Sequence, residues 1–256
     1  MLAGERKDQL LQAVEMLLEA RRSAPIEDLP AELRPTTMEE VYFIQDNMAV
    51  AFGAVGGWKV GAPNPEATPL FASMPLVWIA EDGSTLNGPH HRLRGLEAEI
   101  AFLIGSDLPP RSTPYTREEV AAAITSCHPA IEVLETAMVD TKKCDRLTVL
   151  ADMQTHGGFV AGPAAPQWQQ IDFAKETVVL TVDGVVRVEA TGSNTAGTDV
   201  LRLVVWLANE GAARTGGLKA GNWITTGSWT GNTLATDGSA VKAHFNRAGE
   251  VTLRFG

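Results

Sequence analysis

The spacing of apolar positions changes character near residue 55. From Glu5 to Arg22, Leu10, Leu11, Val14, Leu17 and Leu18 recur at helical intervals with charges between them, which predicts an amphipathic helix. A loop containing Pro25, Pro30 and Pro35 follows. Thr37 with Glu40 then makes a capping-box pattern ahead of Val41, Ile44 and Met48, predicting a second helix that ends near Gly53. From Gly56 onward short apolar runs alternate with Gly, Pro and Asp, and Val77 to Ala80 and Leu96 to Ile104 read as strands. Thr116 with Glu119 repeats the capping-box pattern before Val120, Ala123 and Ile124, a short helix leading into a strand at Ala130 to Leu134. Thr177 to Val182, Asp183-Gly184 and Val185 to Ala190 predict a hairpin, because Asp-Gly suits the two-residue turn between twisted antiparallel strands. Val200, Leu203, Val204, Leu207 and Ala208 mark a helix running to about Gly216, with closing strands at Trp223 to Thr226 and Val251 to Phe255. The expectation is an α+β chain with a helical lobe over 1–55 and a β-rich body over 56–256, built on a mixed sheet or barrel.

Composition narrows the chemistry. A net charge of −10 over 256 residues, with Lys and Arg nowhere concentrated, excludes a nucleic-acid surface. An acidic protein that binds a small organic anion needs a metal or a local lysine to reverse the field at the site, so clusters of carboxylates become informative. The segment Met1 to Leu11 carries Glu5, Arg6, Lys7 and Asp8 where a secretory signal would be apolar, and no run approaches the ~20 apolar residues of a membrane span. A cytoplasmic protein without a membrane partner is expected. Cys127 and Cys144 lack a C-x-x-C spacing and read as core or near-surface thiols.

In Leu96-Glu97-Ala98-Glu99-Ile100, strand alternation puts Glu97 and Glu99 on one face. E-x-E is commonplace on solvated strands, but here the same face continues as Ala101 and Leu103, and two anions on a partly buried face repel unless a cation lies between them. Glu132 sits inside the apolar Pro129 to Leu134, where a lone carboxylate is costly without a partner. Three oxygen ligands with open positions suit Mg²⁺ or Mn²⁺ better than Zn²⁺. Glu135 reads as solvent-facing. Lys59, within Gly56-Gly57-Trp58-Lys59-Val60-Gly61, is either a surface lysine in a turn or a buried one whose pKa burial would lower, able to bind a carboxylate or move a proton. Asp152 and Thr155 lie in a polar stretch before Phe159 that is a loop or the rim of a substrate pocket. Thr225-Thr226-Gly227-Ser228 could offer hydroxyls and N–H groups to an anion, or form a turn. His90, His91, His128, His156 and His244 are dispersed and read as structural or exposed, so no His–carboxylate pair for carbon–carbon hydrolysis is evident.

Taken in order, Gly57-Trp58-Lys59-Val60-Gly61, Glu97-Ala98-Glu99, Ala130-Ile131-Glu132, Ala151-Asp152, Val205-Trp206-Leu207-Ala208-Asn209 and Gly221 to Gly227 resemble the 2-keto-4-pentenoate hydratase and 4-oxalocrotonate decarboxylase family, within the fumarylacetoacetate hydrolase superfamily. The resemblance implies a mixed β-roll or barrel of the fumarylacetoacetate hydrolase C-terminal type with a small N-terminal helical lobe, assembled into homo-oligomers. It places the metal ligands on Glu97, Glu99 and Glu132, the catalytic lysine on Lys59 and a substrate-carboxylate contact on Thr226. The chain departs from the family pattern in a shortened segment, Ala62 to Ser73, after the lysine, where Glu66 is the candidate catalytic acid. It departs also at Met153, where the family has Asn, and at Ser193 to Asp199.

The implied activity is hydration of an unsaturated 2-oxo acid of the 2-hydroxypenta-2,4-dienoate type to a 4-hydroxy-2-oxo acid, in aromatic-compound catabolism. Two alternatives stay open. One is decarboxylation of a 2-oxo diacid of the 4-oxalocrotonate type. The other is a catalytically silent subunit in a complex with a related decarboxylase, motivated by the shortened segment.

Overall fold

The computed structural model describes residues 4–88 and 91–256; His90 lies outside the described residues. Two helices open the chain, α1 (Gly4–Arg22) and α2 (Met38–Phe52). The Thr37 side chain accepts from Glu40 N at the start of α2, and Gly53 at φ 95° ends it. Glu40 does not complete the box on Thr37. Its carboxylate turns to Arg6 on α1 and to Thr36, clamping the two helices together.

The body is two sheets. β5 (Gly95–Ile104) is central to the larger one and pairs antiparallel with β6 (Ile124–Leu134) on one side and β10 (Trp223–Ser228) on the other. Beyond β10 lie β1 (Val55–Gly61), parallel to it, and β2 (Leu70–Pro75); beyond β6 lie β7 (His156–Ala161) and β3 (Ile79–Glu81). A short β11 (Thr233–Leu234) joins β5, and this eight-stranded sheet curls into an open half-barrel. The smaller sheet runs β4 (Thr85–Leu86), β13 (Gly249–Phe255), β12 (Ala240–Phe245), β8 (Thr177–Val182) and β9 (Val185–Thr191). Asp183 at φ 54° and Gly184 at φ 76° turn β8 into β9, the left-handed pair that an Asp-Gly hairpin requires.

The packing follows from alternation. Leu96, Ala98, Ile100 and Phe102 of β5, with Ile131 and Val133 of β6, bury against Val178, Leu180, Val241, Phe245, Val251 and Phe255 of the smaller sheet. Residues of opposite parity on β5 and β6 face away from that core. A second core joins Leu10, Val14, Leu17, Val41, Ile44 and Met48 of the N-terminal helices to Ala137, Met138, Ala151 and Met153. Gly57 lets β1 approach β10, since a Cβ there would strike the Trp223 carbonyl oxygen and Met74 Cε.

Two expectations change. Val77 belongs to a 3₁₀ turn (Leu76–Trp78), and the strand starts only at Ile79. The helix expected to reach Gly216 stops as α5 (Leu201–Asn209) and resumes as the single turn α6 (Ala212–Thr215), with Gly211 intervening. The capping box at Thr116 and Glu119 forms in full ahead of α3 (Arg117–Ala123).

Candidate metal and substrate site

The antiparallel register of β5 and β6 sets Glu97 directly opposite Glu132, and alternation brings Glu99 to the same face. Each of the three offers an oxygen within 4.8 Å of the others. Glu99 and Glu132 are fully buried and Glu97 partly so.

Their surroundings divide them. Glu99 Oε2 accepts from the backbone N–H groups of Thr226 at 3.1 Å and Gly227 at 3.0 Å, offered where β10 slips out of register with β5. Glu132 Oε1 accepts from Lys59 Nζ at 2.5 Å and from His156 Nδ1 at 2.9 Å, while Glu132 Oε2 has no partner. A carboxylate can only accept, so His156 presents Nδ1–H, and burial keeps its imidazole pKa below the ordinary value. Burial, then the charges of Glu132 and Glu97, push the Glu99 carboxyl well above the usual carboxylate range; burial and Glu132 raise Glu97. At Glu132 burial opposes ionisation but Lys59 and His156 outweigh it, holding the group low. A buried cluster of three carboxylates beside one ammonium, with an orphaned oxygen, fits a hard divalent cation bound through oxygen.

Lys59 is 13% exposed and lies within the cluster, not in a surface turn. The expected fall in its pKa is reversed. Burial does act downward, but Glu132, Glu97 and Glu99 together raise it, so the amine is held as ammonium. Its second bond, 3.0 Å to the carbonyl oxygen of Gln154, depends on three consecutive left-handed residues, Met153, Gln154 and Thr155, at φ 52°, 51° and 60°. Non-glycine residues pay roughly 1–3 kcal/mol each for such backbone. Nothing in their side chains announces this turn, and neither it nor His156 stood out in the sequence as part of the site.

A cavity of about 380 Å³ opens over the cluster, lined among others by Lys59, the three glutamates, Arg146, Val149, Leu150, Gln154, Thr155, Thr195, Thr225 and Ser228. Its size falls at the small end of ligand pockets, about 300–1,000 Å³. Thr155 lies on the cavity wall, its hydroxyl donating to Gln154 O.

Three other candidates lie elsewhere. Asp152 is wholly buried in an ion pair with Arg21 (Nε–Oδ1 2.5 Å), and its other oxygen accepts from Thr136 Oγ1 and Ala137 N. It anchors α1 to the body and is not on the cavity wall. The Thr226 side chain points away, donating to Ile100 O at 2.7 Å, and its neighbour Thr225 takes the wall position. The anion served by this loop is Glu99. Glu66 is exposed on the Pro63–Pro69 loop, folded by Asn64 Oδ1 accepting from Glu66 N and Ala67 N, and is not on the cavity wall. Glu135 is buried instead of solvent-facing, accepting from Leu93 N and Thr136 N with Arg92 3.5 Å away. In the His156–Glu132 pair that spacing could not foresee, Glu132 lines the cavity and the wholly buried His156 sits behind it, off the wall, so His156 orients Glu132 and does not meet cavity water.

Comparison with known proteins agrees with this architecture. A curated 4-oxalocrotonate decarboxylase of Pseudomonas putida is 25% identical over 198 residues, covering 77% of this chain and 74% of that protein. The solved structure of 4-oxalocrotonate decarboxylase from Pseudomonas putida G7, complexed with magnesium and adipate, superposes at TM-score 0.84, covering 100% of this chain and 99% of that one at 23% identity. The 2-hydroxyhepta-2,4-diene-1,7-dioate isomerase from Mycobacterium marinum shares the fold over 78% of this chain and 75% of its own, at TM-score 0.59 and 20% identity. Residues 40–255 match the model of the fumarylacetoacetate (FAA) hydrolase C-terminal family, nearly all of the body described above together with α2, and the chain belongs to that family.

Proposed function

We propose that the protein is a divalent-metal-dependent lyase of unsaturated 2-oxo acids, with decarboxylation of a 2-oxo diacid favoured over hydration. The observation that carries the metal-dependent part is the cluster of Glu97, Glu99 and Glu132, only partly neutralised by Lys59, on the wall of a small cavity. These three residues would hold Mg²⁺ or Mn²⁺; the relative from Pseudomonas putida G7 was solved with magnesium and, separately, with calcium. Bound there, the ion supplies a Lewis acid that draws electron density toward the 2-oxo group of the substrate.

The chain's own groups do the rest. Lys59 keeps its proton beside three carboxylates and has two of its donors committed to Glu132 and Gln154, leaving one for the substrate carboxylate or for a proton transfer. The N–H groups of Thr226 and Gly227 hold Glu99 in place, and His156 fixes the oxygen of Glu132 that faces Lys59. Val149 and Leu150 give the cavity an apolar flank.

The choice between the two lyase reactions turns on the proton inventory. Among the described residues, the ionisable side chains on the cavity wall are Lys59, Arg146 and the three glutamates. Adding water across a double bond needs a group to activate the water and another to protonate carbon. Decarboxylation needs an electron sink, the 2-oxo group polarised by a cation that the cluster would hold, and one returned proton, which Lys59 could supply. Glu66, the acid that hydration would draw on, is off the wall. The similarity to 4-oxalocrotonate decarboxylase points the same way.

The test is turnover of 4-oxalocrotonate and of 2-hydroxypenta-2,4-dienoate, followed by ultraviolet absorbance and carbon dioxide release, with and without Mg²⁺ or Mn²⁺. Metal-dependent carbon dioxide release from the diacid, lost in Glu99→Ala and cut about 10²- to 10⁴-fold in Lys59→Ala, supports decarboxylation. Loss of the dienol absorbance without carbon dioxide release supports hydration. Tight metal binding with neither reaction supports a silent subunit.

A further inference from the structure

Two cations line the cavity, and they differ in what engages them. Lys59 is held by Glu132 and Gln154. Arg146 has no hydrogen bond or ion pair among the described residues. Arg6, Arg21, Arg34, Arg92, Arg94, Arg111, Arg117 and Arg214 each pair with a carboxylate. Arg146 is exposed, and other exposed arginines such as Arg22 and Arg187 also lack a partner; what sets Arg146 apart is its place on the wall of this cavity. Helix energetics do not account for Arg146 either. It is the first residue of α4 (Arg146–Ala151), directly after the N-cap Asp145, where the positive end of the helix disfavours a cation. Val149 and Leu150, one turn on, face the same cavity, so α4 presents an apolar surface bounded by a guanidinium.

We infer that Arg146 is a specificity-determining residue that captures the second carboxylate of a dicarboxylic 2-oxo acid whose 2-oxo end sits at the glutamate cluster. The inference rests on the 2-oxo acid reading of the same site. A guanidinium offers a carboxylate two parallel N–H donors, which a chain ending in methyl or vinyl cannot use. Val149 and Leu150 then cover the methylene or vinylene carbons between the ends. Where the captured carboxylate is the one that leaves, it departs as neutral carbon dioxide. A cation on it therefore stabilises the bound substrate more than the state in which the bond breaks. Arg146 accordingly contributes to capture more than to the chemical step.

Calorimetry in the presence of Mg²⁺ tests this with 2-oxoadipate and 2-oxohexanoate, which have the same carbon count and differ in the far carboxylate. The wild type is expected to prefer the diacid by about twofold to fivefold, because Arg146 is exposed and ion pairs at exposed positions are weak. In Arg146→Gln the ratio falls to near one, and Arg146→Lys retains part of it. Because the guanidinium makes no contact in the fold, the melting temperature of each variant is expected to match the wild type. In turnover of the diacid, Arg146→Gln raises KM by about the same twofold to fivefold and changes kcat by less. A wild type without preference, or an Arg146→Gln that keeps it, overturns the inference while leaving the metal and 2-oxo acid reading intact. If neither ligand binds the wild type, the reading of the site itself falls, and the inference with it.

Discussion

Two groups of buried acids lie close together in this protein and behave in opposite ways. Asp152 has both oxygens bonded: Arg21 Nε on one, Thr136 Oγ1 and Ala137 N on the other, while Arg21 also donates to the backbone oxygens of His156, Glu135 and Asp152. Glu97, Glu99 and Glu132 share one ammonium and leave an oxygen without a partner, and the charge of Glu132 pushes the carboxyls of Glu97 and Glu99 upward. Burial alone therefore does not mark a functional carboxylate. Satisfaction does: a paired acid with both oxygens bonded holds structure, and an under-neutralised cluster facing a cavity holds a place for something else.

The sharpest way to break the comparison is to remove Arg21. Arg21→Met leaves Asp152 buried and uncompensated beneath α1, and a destabilisation of about 3–5 kcal/mol is expected in urea unfolding. A loss below 1 kcal/mol would mean that Asp152 is not a structural anchor. The cluster should respond the other way. Glu99→Gln keeps an acceptor for Thr226 and Gly227 yet relieves repulsion, so the metal-free variant is expected to melt at or above the wild-type temperature. Adding Mg²⁺ at 100 times its Kd should stabilise the wild type by about 2.7 kcal/mol, and chelator should remove that gain. In Glu99→Gln the metal-induced shift should vanish; a full shift would take Glu99 out of the ligand set.

The smallest effect concerns a third, half-way case, the Arg6–Glu40 pair between α1 and α2. Arg6 holds the Glu40 carboxyl down to about 2 from 4.5. A group whose folded pKa is depressed contributes stability above its unfolded pKa and loses it as pH falls through the folded one. The wild type should therefore lose stability between about pH 4.5 and pH 2. Arg6→Ala should flatten that part of the profile, measured by urea unfolding at successive pH values; an unchanged slope would show that the pair is inert.

Legibility in the sequence followed the range of the interaction. The Asp183-Gly184 hairpin, the cap at Thr116 and Glu119 and the start and end of α2 rest on contacts within four residues, and the pattern displayed them. The E-x-E face of β5 was legible for the same reason, and Glu132 because an acid inside an apolar strand is costly. Asp152 and Thr226 misled for a common reason: polar residues next to a site by sequence can be turned away from it. Asp152 is claimed by a residue 131 positions earlier, and Thr226 by Ile100 on the neighbouring strand. His156, Arg146 and the Gln154 carbonyl gave no local signal, since their meaning depends on what faces them.

The sequence by itself determined the elements, the acidic character that makes a cation necessary, and the carboxylates available to hold it, because periodicity and the cost of burying charge are local or compositional. The tertiary structure decided which acids meet. The β5–β6 register that sets Glu97 against Glu132, the slip of β10 that offers two N–H groups to Glu99, and the left-handed turn at Met153 to Thr155 that steadies Lys59 are all long-range. A one-residue shift in any of those pairings would reverse which side chains face the cavity, and no short stretch of chain specifies them alone.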